Sequence, residues 1–309
     1  MSNLSYAVVG SGAIGGYYGG KLAHAGQEVH FLLHSDYAQA LQQGLRVDSV
    51  DGNFCLQKPN IYRSTEDMPQ ADVVLVGLKT VNNHLLPQLL RPLLKADTHI
   101  VLIQNGMDME ADLSEVLPHQ PIIGAMAFIC SNKVRPAHIR HLDYGALTLG
   151  CHQWVDERKL SLIADDFTAA GISVSMDPDL HTARWKKLVW NIPYNGLTVV
   201  LGSTTDQLMN HPQSRTLVRQ LMEEVIRAAQ TCGAQIDSDF ADQMMSNTDQ
   251  MKPYKPSMLL DFEHHRPMEV DYMYDRPIRR AAAHGAAMPL TQMLAWQLRF
   301  TESKNQTAP

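Results

Sequence analysis

Short apolar runs alternate with amphipathic runs through the first half of the chain. The apolar runs are rich in β-branched residues and predict strands over residues 6–9, 28–33, 72–77 and 100–103. Helical spacing between them predicts helices over residues 17–24 and 82–94. Pro87 and Pro92 lie inside the second helix, so we expect it to be kinked or split. Strands that alternate with helices in this way predict an α/β fold with a parallel sheet.

Turn residues predict two hairpins in the same half. Asp51-Gly52 separates the short runs 45–50 and 54–56, and Asp-Gly is a frequent hairpin turn. A second hairpin is expected to pair residues 137–141 with residues 146–149 through Asp143-Tyr144-Gly145.

From about residue 177 onward the strand signals stop and helical spacing takes over. Helices are predicted over residues 182–201, 214–231, 237–245, 268–284 and 290–300, and another begins near Lys255. The polar tail over residues 301–309 is expected to fray. A chain of 309 residues exceeds the usual size of one hydrophobic core. We therefore expect an α/β domain over residues 1–177 and an all-helical domain over residues 178–309.

Three glycines directly behind the first predicted strand suggest a function for the α/β domain. They stand in the hexapeptide Gly10-Ser11-Gly12-Ala13-Ile14-Gly15. In this pattern the first glycine allows a tight turn, the second lets backbone N–H groups approach a pyrophosphate, and the third lets the helix pack close to the strand. The helix N-terminus adds partial positive charge. The motif predicts a Rossmann-type dinucleotide-binding domain, and the alternative is a tight turn that binds no nucleotide.

Composition narrows the class of protein. Hydrophobic residues make up 45% and charged residues 19% of the chain, as in an ordinary soluble globule. The net charge of −6 argues against a general nucleic-acid binder, which needs a basic surface. No apolar run reaches the length of a membrane span, and no signal peptide is expected. The four cysteines are far apart and lack zinc-site spacing, so we expect free thiols in a reducing cytoplasm.

Polar side chains follow two of the predicted strands. Lys79 comes after the strand over residues 72–77, and Asn105 comes after the strand over residues 100–103. Ligands of open parallel sheets lie at the carboxyl ends of the strands, so both residues are candidates for ligand contact. The alternatives are a solvated helix start for Lys79 and a plain turn for Asn105 with Gly106.

A polar stripe marks the first helix of the second half. Lys187, Asn191 and Asn195 recur at intervals of four residues, which places them on one helical face. Asparagine is a poor choice inside a helix, so its use twice favours a polar pocket over a solvated stripe. Pro193 is expected to kink this helix or remove one of its hydrogen bonds.

Two further candidates, Ser257 and Glu269, lie in the same half. Taken alone, Ser257 fits a helix cap and Glu269 fits a solvated charge. His265 and Glu269 are four residues apart, but two ligands without a third do not predict a metal site, and no metal is expected.

In order and spacing these motifs resemble the ketopantoate reductase (2-dehydropantoate 2-reductase) family over nearly the whole chain. The resemblance rests on the early glycine motif, Leu78-Lys79, Gln104-Asn105-Gly106, the pattern Trp-x-Lys-Leu-x-x-Asn-x-x-x-Asn from Trp185, Ser257-Met258 and Glu269-x-Asp271. It implies a Rossmann-type domain followed by a helical domain. It also implies NADPH-dependent reduction of 2-dehydropantoate to (R)-pantoate in pantothenate and coenzyme A synthesis.

The resemblance also implies residue roles. Lys187 and Glu269 are the catalytic pair, with Lys187 as the proton donor. Asn191, Asn195 and Ser257 contact the substrate, and Asn105 bridges substrate and cofactor. The residues that contact the cofactor are Lys79, His34, Gly10, Ser11, Gly12, Ala13, Ile14 and Gly15.

The chain departs from the family pattern at two places. His34 stands where the family usually has an arginine for the 2′-phosphate of NADP, and the nearest acid that could bind the ribose of NAD is Asp36. NADP(H) is the cofactor expected, and the strength of its preference over NADH stays open. Tyr274-Asp275 stands where the family tends to have Asn-Gly, which leaves the exact substrate open among branched 2-keto acids.

Two rival functions remain at this point. One is a paralogous reductase of another 2-keto acid, and the other is a non-catalytic sensor that binds NADP(H). The polar residues of the helical half favour an enzyme, because a sensor would need no such pocket. The partners expected are a small 2-keto acid and, as an open option, a second copy of the chain in a homodimer, but neither nucleic acid nor a membrane.

Overall fold

A computed structural model describes residues 2–307. The chain forms two compact units. Unit 1 consists of Met1–Gln104 and Met109–Leu180, and unit 2 consists of Asn105–Asp108 and His181–Pro309. The domain ranges expected from the sequence, 1–177 and 178–309, and the roles given to them stay predictions.

Unit 1 is built on one sheet, which has ten strands in the described part of the chain. These are β1 (Ser5–Val9), β2 (Glu28–Leu32), β3 (Leu45–Ser49), β4 (Phe54–Leu56), β5 (Asn60–Tyr62), β6 (Ala71–Val76), β7 (Leu94–Leu102), β8 (Ile122–Arg135), β9 (His138–Cys151) and β10 (Val174–Met176). They lie in the order β4-β3-β9-β8-β7-β6-β1-β2-β5, and β10 pairs with β9.

Six of these strands form a parallel block in the order β5-β2-β1-β6-β7-β8. The chain steps outward from β1 through β2 to β5 and then returns to the other side of β1 as β6. Doubly wound sheets bind dinucleotides at such a reversal, outside the carboxyl ends of the strands. Val8, Val74 and Val101 in this block are 0% exposed, as expected for strands covered on both faces. The α/β class and the Rossmann-type domain are confirmed.

The second predicted hairpin is wrong. Residues 138–151 form the single strand β9, which pairs antiparallel with β8 along its length. The chain reverses before β9, at Pro136-Ala137, where Ala137 has φ of 56°. Strand β8 itself was not predicted, because its apolar run does not distinguish a strand from a buried helix.

The residues mistaken for a turn form a bulge. Tyr144 and Gly145 have φ of 61° and 125°, and the register with β8 shifts there, so that Phe128 faces Ala146 while Ile129 faces Tyr144. Residues with positive φ thus bend one strand here and do not reverse the chain. The Asp51-Gly52 hairpin is confirmed, since β3 and β4 pair antiparallel around it.

Five α-helices accompany the sheet within the described residues of unit 1: α1 (Ala13–His24), α2 (Tyr37–Gln43), α3 (Leu86–Leu90), α4 (Met109–Val116) and α5 (Glu157–Ala169). The helix predicted over residues 82–94 is split, as its two prolines indicated. It consists of a 3-10 turn at Thr80–Leu85, the short α3, and a second 3-10 turn at Arg91–Leu93. A further 3-10 turn lies at Thr65–Asp67.

Unit 2 is helical in the described residues. Its helices are α6 (Leu180–Leu201), α7 (Thr205–Asn210), α8 (Pro212–Thr231), α9 (Phe240–Gln250), α10 (Ser257–Glu263), α11 (Arg276–Ala283) and α12 (Pro289–Thr307), with a π-helical segment at Asp271–Asp275. Helix α7 was not predicted, and the helix predicted over residues 268–284 consists of the π-helical segment at Asp271–Asp275 followed by α11. The tail does not fray over residues 301–307, because α12 continues to Thr307, while residues 308–309 lie outside the described residues.

Helix α6 supplies much of the core of unit 2. Trp185, Leu188 and Ile192 are 0% exposed and pack with apolar residues of the later helices. Pro193 lies inside α6, and the helix continues through it. A buried carboxylate on α8, Glu224, accepts hydrogen bonds from the backbone N–H groups that begin α12. Among the described residues, no helix is both long enough and apolar enough to cross a membrane.

Candidate functional site

The glycine motif lies at the carboxyl end of β1, where the parallel block reverses. Gly10 has φ of 88°, and a Cβ there would lie 2.2 Å from the backbone nitrogen of Leu78, the second residue after β6. A Cβ on Gly15 would lie 2.4 Å from the carbonyl oxygen of Gly10. Only glycine permits this approach, which seats the first turn of α1 between the ends of β1 and β6.

Gly12 differs from its neighbours because a Cβ there would meet no atom within 4 Å. The protein itself therefore does not require glycine at this position. Gly12 is the N-cap of α1, and no side chain caps the helix. The first N–H groups of α1 therefore point out of the helix without an intrahelical acceptor, as in anion-binding helix N-termini. The expected contact of Ala13 and Ile14 with a cofactor follows from this placement and stays a prediction.

Ser11 joins the glycine motif to the end of β2. Its hydroxyl donates a hydrogen bond to the carbonyl oxygen of Leu32, at 3.0 Å. Two residues farther along, His34 and Ser35 are exposed. Asp36 is only 4% exposed, and both its carboxylate oxygens accept from Lys133 Nζ, at 2.9 and 3.1 Å. The acid nearest this strand end is thus already neutralised within the protein.

Lys79 stands where the sequence places it, after β6, and is half-buried at the start of a 3-10 turn. Behind it, the side chain of Gln104 fixes the loop: its Nε2 donates to Leu78 O at 2.6 Å and to Asn83 Oδ1 at 2.7 Å. No role for Gln104 was predicted from the sequence. Its position directly after a buried strand was the sequence signal that could have indicated its role in fixing the loop.

In unit 2, α6 holds the polar stripe. Asn191 and Asn195 are each 3% exposed, and Lys187 is half-buried. Asn191 Nδ2 donates to Asn105 Oδ1 at 3.4 Å, and Asn195 Oδ1 accepts from the backbone N–H of Met258 at 3.3 Å. The Nδ2 groups of Asn105 and Asn195 donate to no residue that the structure describes. The two asparagines of the stripe are therefore buried in unit 2 and not solvated.

Asn105 belongs to unit 2 because the short segment Asn105–Asp108 is fastened there. The backbone N–H of Met107 donates to Tyr272 O at 3.0 Å. Gly106 has φ of 106°, and a Cβ on it would lie 2.6 Å from the same oxygen. Arg280 binds the Asp108 carboxylate. These bonds hold Asn105 against Asn191, and no local sequence pattern indicates them.

Glu269 is not a solvated charge, since it is 6% exposed. It lies two residues before the π-helical segment, and such segments are frequent at functional sites. Asp271 begins the segment and binds both Arg276 and Arg279, each at 3.0 Å. Burial alone would raise the pKa of Asp271, but the hydrogen bonds from the two arginines lower it below its usual value. This ionised carboxylate ties the segment after Glu269 to α11.

Ser257 does not cap α10. The helix begins at Ser257 with Pro256 as the N-cap, and no side chain caps it. Ser257 is half-buried, and its neighbour Met258 is bonded to Asn195. The structure thus brings Ser257 and Asn195 to adjacent positions. Among the described residues, no three His, Cys, Asp or Glu side chains gather as a metal site.

Two family models match the chain. The model described as "Ketopantoate reductase PanE/ApbA" matches residues 6–154. The model described as "Ketopantoate reductase PanE/ApbA C terminal" matches residues 179–302. Together they cover most of both units.

Named relatives match over their whole length. The 2-dehydropantoate 2-reductase of a Nostoc species is 46% identical, with 99% of this chain and 98% of that relative aligned. The crystal structure of 2-dehydropantoate 2-reductase from Geobacter metallireducens is 40% identical with a TM-score of 0.93, covering 96% of this chain and 99% of that one. The enzyme of the same name from Methylococcus capsulatus is 32% identical with a TM-score of 0.89, covering 99% of each. The chain belongs to the ketopantoate reductase PanE/ApbA family.

Proposed function

We propose that this chain is an NADPH-dependent 2-dehydropantoate 2-reductase. It reduces 2-dehydropantoate (ketopantoate) to (R)-pantoate in the synthesis of pantothenate and coenzyme A. The observation that supports this most directly is the pair of buried amides on α6, because asparagine is a poor choice inside a helix and a polar group is costly inside an apolar core unless it has a role there. The names of the full-length relatives supply the substrate.

The residues of unit 1 fit a dinucleotide. The space around Gly12 and the uncapped start of α1 suit a pyrophosphate. In folds of this type that bind NAD, an acid after β2 binds the ribose hydroxyls. Asp36 does not offer its carboxylate for that purpose, since Lys133 and Ser35 already bind it. This supports NADP(H) as the cofactor.

The reaction needs a proton donor at the keto oxygen of the substrate. NADPH, when bound, supplies the hydride that adds to the keto carbon. As the carbonyl π bond breaks, negative charge develops on the oxygen, and the ammonium of Lys187 stabilises it and donates the proton. The carboxylate of Glu269 holds this lysine or accepts a hydrogen bond from the new hydroxyl. These roles for Lys187 and Glu269 are proposals.

Neutral donors are suited to the carboxylate of the substrate. Asn191, Asn195 and Ser257 bind it without adding charge beside the lysine. Asn105 contacts substrate and cofactor, and Lys79 approaches the nicotinamide side. A cytoplasmic location agrees with the four free cysteines. A homodimer, the commonest assembly of soluble oligomers, is tested by light scattering during gel filtration.

A panel of 2-keto acids tests the proposed reaction. We expect the purified protein to oxidise NADPH fastest with 2-dehydropantoate, followed by the loss of absorbance of the reduced nicotinamide. Other branched 2-keto acids and NADH serve as comparisons. Faster turnover of another keto acid would favour the paralogous reductase. Tight NADPH binding with no turnover on any member would favour the sensor.

Replacing the catalytic pair tests the assigned roles. Lys187→Ala is expected to lower kcat/KM by about 10²–10⁴, as for a lost general acid. Glu269→Ala should be similarly impaired, and the double variant should lose far less than the product, because the two residues act as a unit. NADPH affinity should stay unchanged in all three. Lys252→Ala, an exposed lysine of unit 2, is the control, and near-normal turnover by Lys187→Ala would contradict the assignment.

Asn195→Asp tests the contact with the substrate carboxylate. The new side chain still offers an oxygen to the N–H of Met258, but it replaces the free amide donor by a negative charge. Like charges placed together weaken binding, so KM for the keto acid should rise by roughly 100-fold. NADPH affinity and the unfolding midpoint in urea should change little. An unchanged KM would mean that Asn195 is only structural.

Gly12→Val tests the pyrophosphate site. The variant should fold normally, because a Cβ at Gly12 meets no protein atom within 4 Å, yet its side chain occupies the space needed by the phosphates. We expect fluorescence titration to show no NADPH binding and urea unfolding to resemble the parent. Gly15→Val is the contrasting variant and should be strongly destabilised by the approach to Gly10. Unchanged NADPH affinity in Gly12→Val would remove the nucleotide site from this loop.

A further inference from the structure

A strand distant in sequence brings a cation to the end of β2. Strand β5 pairs parallel with β2, with Leu32 opposite Tyr62, and the last bond between them runs from Leu33 N to Tyr62 O at 2.9 Å. His34 follows Leu33 after β2, and Arg63 follows Tyr62 at the end of β5. Both therefore leave the sheet side by side at its carboxyl edge.

The guanidinium of Arg63 is held at this edge by an aromatic ring. Arg63 Cζ lies 4.4 Å from the ring centroid of Tyr37, the first residue of α2. The backbone N–H of Tyr37 in turn donates to His34 O at 3.4 Å. The ring thus places the guanidinium beside the turn that follows β2. Stacking of this kind leaves the N–H groups at the rim of the guanidinium available for hydrogen bonds.

The other charged side chains at this turn are already used. Lys133 binds Asp36, which cancels both charges. Arg63 is exposed and forms no ion pair with any residue that the structure describes. Ser64 and Glu66, which follow it, are bonded to each other. Arg63 is therefore an unneutralised cation at the turn.

We propose that Arg63 binds the 2′-phosphate of NADPH and sets the preference of this chain for NADPH over NADH. The inference rests on the proposed function for the presence of a dinucleotide at the glycine loop. Ser11 links that loop to Leu32, the last residue of β2, and in doubly wound folds the adenosine ribose lies beyond this strand end. A planar guanidinium binds phosphate oxygens in pairs, which the imidazole of His34 does not do.

Binding measurements on variants test Arg63 without turnover. Arg63→Gln is expected to raise the Kd of NADPH by roughly 10–100-fold, since a charge-assisted bond to phosphate is lost. The Kd of NADH should change by no more than about twofold, because NADH lacks the 2′-phosphate. Adenosine 2′,5′-bisphosphate and adenosine 5′-monophosphate, titrated calorimetrically, should show the same contrast. Arg63→Lys should recover only part of the loss, because ammonium lacks the fork of donors.

Controls separate this role from general charge and from folding. Arg91→Gln removes an exposed arginine that lies just before β7 in the sequence, near the amino ends of the parallel strands and not their carboxyl ends. This variant should leave both Kd values unchanged. Tyr37→Leu should weaken NADPH binding less than Arg63→Gln does. His34→Gln should have a small effect.

Three results would overturn the inference: equal weakening of NADPH and NADH by Arg63→Gln, loss of the preference in His34→Gln alone, or a parent protein that binds both cofactors equally. A parent that prefers NADPH through Arg63 but reduces no keto acid would contradict the proposed reaction and leave the inference intact.

Discussion

Close contact among Gly10, Gly15 and Gly77 determines how the first helix of unit 1 packs on its sheet. Beyond the approaches of Gly10 and Gly15, a Cβ on Gly77 would lie 2.6 Å from the backbone nitrogen of Gly15. The ends of β1 and β6 and the first turn of α1 therefore meet backbone to backbone. Any side chain in this contact would push α1 away from the sheet and move its free N–H groups off the point where the strand order reverses. The glycine loop takes its position from this contact, and the hydroxyl of Ser11 then joins the loop to the end of β2.

Features of the fold that have a local cause could be predicted from the sequence, and features that depend on distant partners could not. Glycines behind a buried strand have a local cause, so the βαβ unit and the α/β class could be predicted. The pairing of β8 with β9 depends on partners distant in sequence, and there local signals misled: Tyr144-Gly145 looks like a turn and is a bulge. Gly77 follows a buried strand as Gly10 does, and this similarity was the sequence signal that could have predicted its close contact with Gly15.

In the candidate site, sequence spacing was enough to predict which residues lie together where one helix carries them. Asn191 and Asn195 share a face of α6 and are both buried, as the cost of asparagine in a helix suggested. Spacing could not show that Glu269 is buried or that Ser257 leaves its helix uncapped by a side chain. The attachment of Asn105 to unit 2 depends on Tyr272 and Arg280, far along the chain. Tertiary contacts of this kind leave no local pattern.

The place of β5 beside β2 has an evolutionary consequence. Arg63, the residue proposed to determine cofactor choice, follows a strand of unit 1 beside the strand end that carries His34, whereas the residues proposed for the chemistry, Lys187 and Glu269, belong to unit 2. A mutation that alters one set need not disturb the other. Two adjacent strand ends also offer two places for a phosphate-binding arginine, so a lineage can lose it from one without losing the trait. Cofactor preference in such a fold can thus persist while the residue responsible for it migrates between strands.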